Sequence, residues 1–347
     1  MFFSILIPVY NTIEYLPECM DSVFSQTFKD FEIVLIDDGS SEKCAKLCDE
    51  YEKSHGCVRV IHKQNEGLMM TRRRGFKEAK GDYFICLDSD DKLYDNRALE
   101  KIHSLIQSSG CDLVIYNYVY GAGGRRKERV RTVFDYPDRH LFRDESKKEV
   151  YEKLLTTNYM NNIWIKCPSR HIVDIDTDYS EWKKYICRAE DLFQSYPMLN
   201  NAECIGYIKD PLYYYRWAPD SISNNYKFSF FYSFKCIFNR EDGYLEKWDL
   251  SNEISKKAKS RRVVRVSEII CKCYHACKRK GELSEWKAFA DKIRKDPFYI
   301  NIMDGTDKKQ VLLYYKLIHF FIIKGRKRTA MKLIDTISFF SAKRHKR

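Results

Sequence analysis

The chain has 347 residues, enough for two domains, and its 44% hydrophobic and 15% aromatic content excludes a disordered protein. The net charge of +12 is uneven, because residues 1–250 carry 35 Lys and Arg against 40 Asp and Glu, whereas residues 251–347 carry 26 against 9. The thirteen cysteines are odd in number and irregularly spaced, which favours reduced thiols in a cytosolic protein over a disulfide framework.

The N-terminal residues 1–7 are apolar, but they lack a basic segment and run directly into Pro8. This pattern favours a first strand over a signal peptide. No segment reaches the roughly 20 apolar residues that a membrane-spanning helix needs. We therefore expect a cytoplasmic protein without a transmembrane helix.

Short apolar runs alternate with amphipathic segments along the first third of the chain. Between the runs at 3–9 and 31–36, apolar residues recur at helical spacing, which predicts a β-α-β unit with buried parallel strands. The same alternation continues to residue 118. It predicts helices at 43–54, 71–79 and 97–107, and strands at 58–62, 83–87 and 112–118.

Three polar turns follow strands of this predicted sheet, at residues 8–11, 37–40 and 88–91. Ligands of doubly wound sheets bind beyond the carboxyl ends of the strands. We therefore expect the three turns to meet in one crevice.

The third turn is acidic and contains Asp88, Ser89, Asp90 and Asp91. Several carboxylates in one turn suit a hard divalent cation, which takes oxygen ligands and shares its shell with water and substrate phosphates. Aspartates also serve as turn and helix-capping residues. The turn by itself leaves both interpretations open.

Beyond the sheet, residues 121–131 form a Gly- and Arg-rich segment that does not open a helix, which favours a connecting loop over a phosphate cradle. The pattern then predicts a helix at 147–156 and a strand at 210–217. From residue 228 onward the periodicity is helical to the end.

Seven short motifs occur in order over residues 5–224. The motifs are Ile7-Pro8-Val9-Tyr10-Asn11, Ile36-Asp37-Asp38-Gly39-Ser40, Asn65-Glu66-Gly67 with Arg72 and Gly75, Gly81-Asp82-Tyr83, residues 87–91, Glu190-Asp191, and Tyr215-Arg216 with Ser221. Together they resemble the family 2 glycosyltransferases of the GT-A type, inverting enzymes of bacterial polysaccharide synthesis. Residues 225–347 lie outside the resemblance.

The resemblance implies an α/β fold of the GT-A nucleotide-diphospho-sugar transferase class, which is Rossmann-like with a mostly parallel sheet between helices. It implies a catalytic domain over 1–225, with a nucleotide-sugar half at 1–120 and an acceptor half at 121–225. A basic helical region over 226–347 follows.

The resemblance also implies residue roles at the donor. Asp38 would accept a hydrogen bond from the uracil imide, a role that suits a carboxylate. Arg72 would lie near the base and phosphates, and Asp88 and Asp90 would hold Mn²⁺ or Mg²⁺ on the diphosphate. The expected donor-binding set is Pro8, Val9, Tyr10, Asp38, Arg72, Asp88 and Ser89.

Asp191 aligns with the family's general base, which takes a proton from the acceptor hydroxyl. An acidic pair such as Glu190-Asp191 is also typical of a helix N-terminus, where it complements the helix dipole. Two residues depart from the family pattern: Arg73 stands where relatives commonly have Asn, and Ala218 where many have His or Arg. These departures place the identity of the donor sugar in doubt.

Other readings concern the C-terminal region. Cys271, Cys273, His275 and Cys277 are zinc-type ligands, but in a helix only Cys273 and Cys277 share a face, which favours buried thiols. The basic residues alternate with large apolar ones, which indicates a membrane interface rather than nucleic-acid binding. Packing on the catalytic domain or on a second subunit is the other explanation.

We thus expect a metal-dependent inverting transferase that moves a hexose or N-acetylhexosamine from a UDP-sugar to a glycan or lipid-linked acceptor. It would lie at the inner face of the plasma membrane, and the C-terminal helices could form a homodimer. The alternatives are a catalytically inactive sugar-nucleotide binding protein and a nucleic-acid-binding protein.

Overall fold

The computed structural model describes residues 1–121, 128–217 and 227–344, with side chains described as far as residue 338. The chain divides into two compact units, Met1–Ser221 and Ile222–Arg347. The division falls near the boundary predicted at residue 225.

The first unit begins with a four-stranded parallel sheet in the strand order β3-β2-β1-β4. Strands β1 and β2 are buried along their whole length, as expected of continuous apolar runs between helices. The elements in chain order are β1 Phe3–Val9, α1 Leu16–Phe24, β2 Phe31–Asp37, α2 Glu42–Ser54, β3 Val58–His62, α3 Leu68–Glu78 and β4 Tyr83–Cys86.

These elements agree with the predicted ones to within a few residues at each end. The largest difference is the start of α3, which begins at Leu68 instead of residue 71. Gly67 precedes it with φ of +86°, a left-handed conformation that only glycine adopts without strain. The prediction of a GT-A-like parallel sheet is confirmed.

A second, mixed sheet completes the first unit, and its central strands β6 and β10 run parallel. The predicted fifth strand, β6, therefore does not extend the first sheet. Strand β9 pairs with β6, and Ser169, the residue after β9, forms a bridge with Tyr83 of β4. Strand β9 therefore lies between β6 and β4. The remaining elements are β5 Lys92–Leu93, α4 Ala98–Ser109, β6 Leu113–Gly121, β7 Arg129–Arg131, β8 His140–Arg143, α5 Lys147–Thr156, β9 Lys166–Pro168, α6 Ser180–Lys183, α7 Glu190–Asn201 and β10 Cys204–Arg216.

Strand β10 begins six residues before the predicted start at residue 210. Its register against β6 shifts on both sides of Pro211. The sequence predicted that the strand begins near this point, but in the structure the strand continues through the irregularity. Proline lacks the N–H needed for a regular ladder and is tolerated at such irregularities.

The backbone at Gly81 lies against strand β1. A Cβ atom at this position would be 2.6 Å from the carbonyl carbon of Phe3 and from the nitrogen of Ser4. The Gly81 N–H also donates to the Ser4 hydroxyl at 2.7 Å, and that hydroxyl donates to the buried Glu32 carboxylate at 2.6 Å. The approach of α3 and β4 to β1 therefore requires glycine here.

The second unit is helical in its described part, as its periodicity predicts. Among the described helices, none combines the length and hydropathy needed to cross a bilayer. The helices are α8 Ser229–Lys247, α9 Asn252–Lys280, α10 Leu283–Ile293, α11 Pro297–Ile300, α12 Leu313–Ile323 and α13 Lys327–Arg344.

None of the thirteen cysteines, all of which lie in described residues, forms a disulfide. Nine are buried, and Cys187 is exposed. In α9, Cys273 and Cys277 are buried, and the Nε2 atom of His275 lies 2.7 Å from the Ser338 hydroxyl. Across the described parts of the chain, no three His, Cys, Asp or Glu side chains converge on a point that a metal ion could occupy.

We predict that Gly81→Ala lowers the free energy of unfolding by about 1–3 kcal/mol, because the added methyl group meets backbone atoms that cannot move away independently. Urea denaturation measures the change. Gly56→Ala is the matched control, since its Cβ would meet nothing within 4 Å, and it should change stability by less than about 1 kcal/mol. Equal midpoints for the two variants would contradict the close approach.

Candidate active site

The turns after β1 and β2 are fastened to each other. The Asp38 N–H donates to the Val9 carbonyl at 2.9 Å, and the Asn11 N–H donates to the Ser40 hydroxyl at 3.1 Å. The Asn11 side-chain oxygen in turn accepts from the Ser41 N–H at 2.8 Å. These hydrogen bonds hold the two turns against each other.

The predicted donor-binding residues of the first turn differ in exposure. Pro8 and Val9 are buried in β1, and their part is to fix the backbone. Tyr10 keeps 54% of its surface exposed at the carboxyl end of the strand. Of these three predicted residues, Tyr10 offers a side chain to a ligand.

Asp38 organises the loop before α3. Its Oδ1 accepts from the Lys63 ammonium and from the Glu66 N–H, and its Oδ2 accepts from the Gly67 N–H at 2.9 Å. Since two carboxylate oxygens can accept about four hydrogen bonds, one acceptor position on Oδ2 remains. Asp38 thus holds the Asn65-Glu66-Gly67 motif in place and keeps capacity for a donor group.

The acidic turn is anchored by β10. The Asp91 carboxylate accepts from the Tyr213 hydroxyl at 2.7 Å and from the Arg216 N–H at 2.7 Å, and the same hydroxyl accepts from the Asp88 N–H at 3.2 Å. The Arg216 side chain donates to the Asp90 carbonyl at 2.9 Å. Asp91 is therefore a structural anchor, which explains the acidic turn in part.

The neighbouring carboxylates carry excess negative charge. Burial, followed by the charge of Asp88, raises the pKa of Asp90 to about 6. Burial also raises the pKa of Asp88, despite its ion pair with Arg72, and raises that of Asp91. Within the described residues, no cationic side chain forms an ion pair with Asp90. Ser89 is buried, and its hydroxyl accepts from Thr12 at 2.8 Å.

Arg72 lies at the centre of the site and is 1% exposed. Its Nη2 donates to Asp88 Oδ1 at 2.6 Å, and its Nη1 donates to Asp191 Oδ1. Although burial opposes the charge, Asp191 and Asp88 raise the pKa of the guanidinium. Arg72 therefore links the acidic turn to the first turn of α7.

Asp191 is held from two sides at the start of α7. Its Oδ1 accepts from Arg72, and its Oδ2 accepts from the Ile163 N–H at 3.2 Å. The side chain keeps 16% of its surface exposed. Burial and the adjacent Asp191 charge raise the pKa of Glu190. The acidic pair does lie at a helix N-terminus, but Asp191 also belongs to the ion-pair network.

Arg73 does not lie in this network. Its guanidinium donates to the carbonyls of Asp174 and Thr177 and lies 4.0 Å from the ring centre of Tyr179. This departure from the family pattern therefore secures residues 174–179. Ala218, the other departure, and Ser221 lie outside the described residues, as does most of the Gly- and Arg-rich segment.

Several residues of the site were not singled out from the sequence. Tyr213 anchors the acidic turn, and Glu18 holds both Arg216 and Lys92. Lys166 is fully buried behind Asp191. A signal for Lys166 exists in the sequence, because it is a lysine within the apolar run 163–168.

We predict that Arg72→Met lowers the free energy of unfolding by roughly 2–4 kcal/mol, since it leaves two partly buried carboxylates without a counter-charge. Urea denaturation gives the value. The control is Arg74→Met on the same helix, whose exposed ion pair with Glu78 should contribute about 1 kcal/mol or less. If both variants unfold at the same midpoint, Arg72 is not the link described above.

The chain is similar in sequence to known proteins. Residues 4–174 match the sequence model of glycosyl transferase family 2. The chain is 26% identical over 284 residues to putative glycosyltransferase EpsH of Bacillus subtilis, covering 82% of this chain and 77% of EpsH. It is 37% identical over 116 residues to glycosyltransferase GlyG of Streptococcus pneumoniae, covering 33% of this chain and 38% of GlyG.

The fold is also similar to a solved structure. The crystal structure of Staphylococcus aureus TarS 1-349 in complex with UDP-GlcNAc aligns with a TM-score of 0.65 over 97% of this chain and 92% of that one, at 16% identity. Both sequence relatives carry glycosyltransferase names, and none of the three named proteins favours nucleic-acid binding. The N-terminal unit therefore carries a glycosyl transferase family 2 domain over residues 4–174.

Proposed function

We propose that the protein transfers a hexose or N-acetylhexosamine from a UDP-sugar to a hydroxyl group of a glycan or lipid-linked acceptor, with inversion, in cell-surface polysaccharide synthesis. The observation that carries the proposal is that Arg72 holds Asp88 and Asp191 together at the carboxyl end of the parallel sheet. TarS, which shares the fold, has been crystallised with UDP-GlcNAc and with UDP. This supports uracil as the base of the donor.

At the donor end, Tyr10 and Asp38 are the groups available to the nucleoside. The ring of Tyr10 is exposed and suits stacking against a base. The remaining acceptor position on Asp38 suits the imide N–H of uracil, because a carboxylate accepts and cannot donate. A base that presents an acceptor at this point would be rejected.

Asp88 and Asp90 fit a divalent cation. Both supply carboxylate oxygens from one turn. Burial, followed by the charge of Asp88, raises the pKa of Asp90 to about 6, and a bound cation would favour the charged form. Mg²⁺ or Mn²⁺ bound by two carboxylates takes its remaining ligands from water and diphosphate oxygens, so a third protein ligand is not required. When bound, the cation would neutralise charge on the departing diphosphate.

Asp191 is the proposed general base. As the acceptor oxygen attacks the anomeric carbon, its proton passes to Asp191, the bond from that carbon to the phosphate oxygen breaks, and UDP leaves with the electron pair. Each carboxylate oxygen of Asp191 uses one hydrogen bond and retains capacity for the proton. Attack opposite the leaving group inverts the anomeric centre. A well-placed base contributes roughly 10²–10⁴ in rate.

The experiment is release of UDP, GDP or dTDP from a panel of sugar nucleotides, with and without a chelator. We expect UDP release that the chelator abolishes.

Asp191→Asn should lower kcat by roughly 10² or more and leave UDP binding near that of the wild type. Asp90→Asn should instead remove the Mn²⁺-dependent part of UDP binding, which calorimetric titration measures.

Lys43→Met changes an exposed residue of α2 and is the control. It should leave kcat and the affinity for UDP unaltered. If Asp191→Asn raises only the donor KM, Asp191 is a binding residue and Glu190 is the next candidate for the base. Full UDP affinity in Asp90→Asn would exclude the metal assignment. Binding of UDP-sugars without any turnover would favour the inactive binding protein.

We further propose that the C-terminal unit associates with an anionic membrane surface through α12. Leu313, Leu317 and Phe320 are exposed on this helix at the spacing i, i+4 and i+7, and Leu313 keeps 68% of its surface. Ile318 and Ile322 on the opposite side are fully buried. One side of α12 is therefore buried, and the other side leaves three large apolar residues exposed.

Charge favours a membrane as the occupant of this apolar face. The residues that flank α12 and start α13 include exposed basic side chains at 308, 309, 324, 326 and 328. Each basic group near an anionic bilayer contributes about 1 kcal/mol. A second copy of this chain would meet the same positive charge, which makes a homodimer through this face the weaker choice.

We predict that the full chain floats with phosphatidylglycerol-containing vesicles, stays in solution with pure phosphatidylcholine, and is released by high salt. Leu317→Glu with Phe320→Glu should abolish flotation, because both changes place charge on the apolar face. The matched control is Gln310→Glu with Thr329→Glu, which has the same charge change at exposed polar positions.

Equal flotation of the two double variants would rule out the α12 face. Light scattering on the same proteins measures their oligomeric state and so tests whether a second copy of this chain covers the face. If the wild type is a dimer and Leu317→Glu with Phe320→Glu is a monomer, the face is a subunit interface.

A further inference from the structure

Lys166, the first residue of β9, is fully buried, although lysine is among the residues least often found inside a protein. Its ammonium group donates to the Met160 carbonyl at 2.6 Å and to the Asn162 carbonyl at 2.5 Å. The side chain therefore folds back and closes the short segment 160–165 onto the strand that follows it.

That segment holds the proposed general base. The residue after Asn162 is Ile163, whose N–H donates to Asp191 Oδ2 at 3.2 Å. The orientation of this N–H depends on the Asn162–Ile163 peptide, whose carbonyl Lys166 holds. Lys166 thus acts on Asp191 through one peptide unit.

The same segment touches the acidic turn on its other side. The Trp164 ring stacks on that of Tyr213 with centroids 4.3 Å apart, and the Tyr213 hydroxyl contacts Asp91 and Asp88. A displacement of the 160–165 segment would therefore affect both the acidic turn and Asp191. Of these carboxylates, Asp191 is the one to which the described segment donates a hydrogen bond.

Packing alone does not explain a lysine here. Burial lowers the pKa of Lys166 to about 7, while the charge of Asp191 opposes that effect. A methionine would fill similar volume without this cost, but it would leave two buried carbonyls without their donor. What a lysine supplies at this position is therefore the pair of hydrogen bonds to the carbonyl groups.

We infer that Lys166 is a positioning residue for the transfer reaction, which fixes the 160–163 segment so that the Ile163 N–H orients Asp191 toward the acceptor hydroxyl. This inference rests on the proposed role of Asp191 as the base. It requires that the loss of Lys166 affect turnover more than donor binding, because Asp191 acts on the acceptor proton.

The test compares wild type, Lys166→Met, Asp191→Asn and the double variant in UDP release at saturating acceptor. We expect Lys166→Met to lower kcat by about tenfold or more and to change the donor KM by less than about twofold. In the Asp191→Asn background, Lys166→Met should have little further effect on kcat, since both changes act through one carboxylate. Lys77→Met, an exposed change on α3, should match the wild type.

Independent, multiplicative effects on kcat would overturn the inference and leave Lys166 as a purely structural residue. A Lys166→Met protein with wild-type kcat, or with only a raised donor KM, would overturn it as well. Lys166→Gln, which keeps an N–H₂ donor, serves in the same cycle if the methionine variant does not fold. A wild type that releases no UDP and binds none would instead refute the proposed function.

Discussion

The ion pairs of Arg72 are the interaction on which the rest of the site depends. The Arg72 side chain is almost completely buried. Burying a charged group costs free energy unless an opposite charge lies at close range. Asp88 and Asp191 provide the pairing, and they come from the end of β4 and the start of α7. The ordering of the acidic turn and of the α7 N-terminus is thus a condition for burying Arg72, and each element supports the other.

The local elements of the first sheet could be predicted because their signals are local. The runs at 3–9 and 31–36 are continuous and apolar, a pattern that is typical of strands buried on both faces of a sheet. The crevice followed from the same reasoning, because parallel strands place their carboxyl ends at one edge. Asp38, Asp88 and Asp90 were predicted as site residues from the turns that follow the strands together with the family resemblance, and Asp191 was predicted from the resemblance.

The remaining features depend on long-range pairing, for which a single sequence carries no direct signal. That β6 pairs with β10 and not with β4 is decided by the insertion of β9 between them. The role of Arg72 could not be read from its helix, since one of its partners lies 119 residues away. Lys166 gave a recognisable signal, a cation inside an apolar strand, but its partners are backbone carbonyls that any sequence would provide.

The distribution of the cysteines makes the site accessible to spectroscopy. Burial raises the pKa of Cys86 and of Cys48 to about 12, so these thiols react slowly with electrophiles at neutral pH. Cys187 is exposed and lies just before Glu190 and Asp191 on the chain. A thiol-reactive fluorophore would therefore attach preferentially beside the start of α7. Its emission would report the arrival of donor and acceptor without any engineered residue.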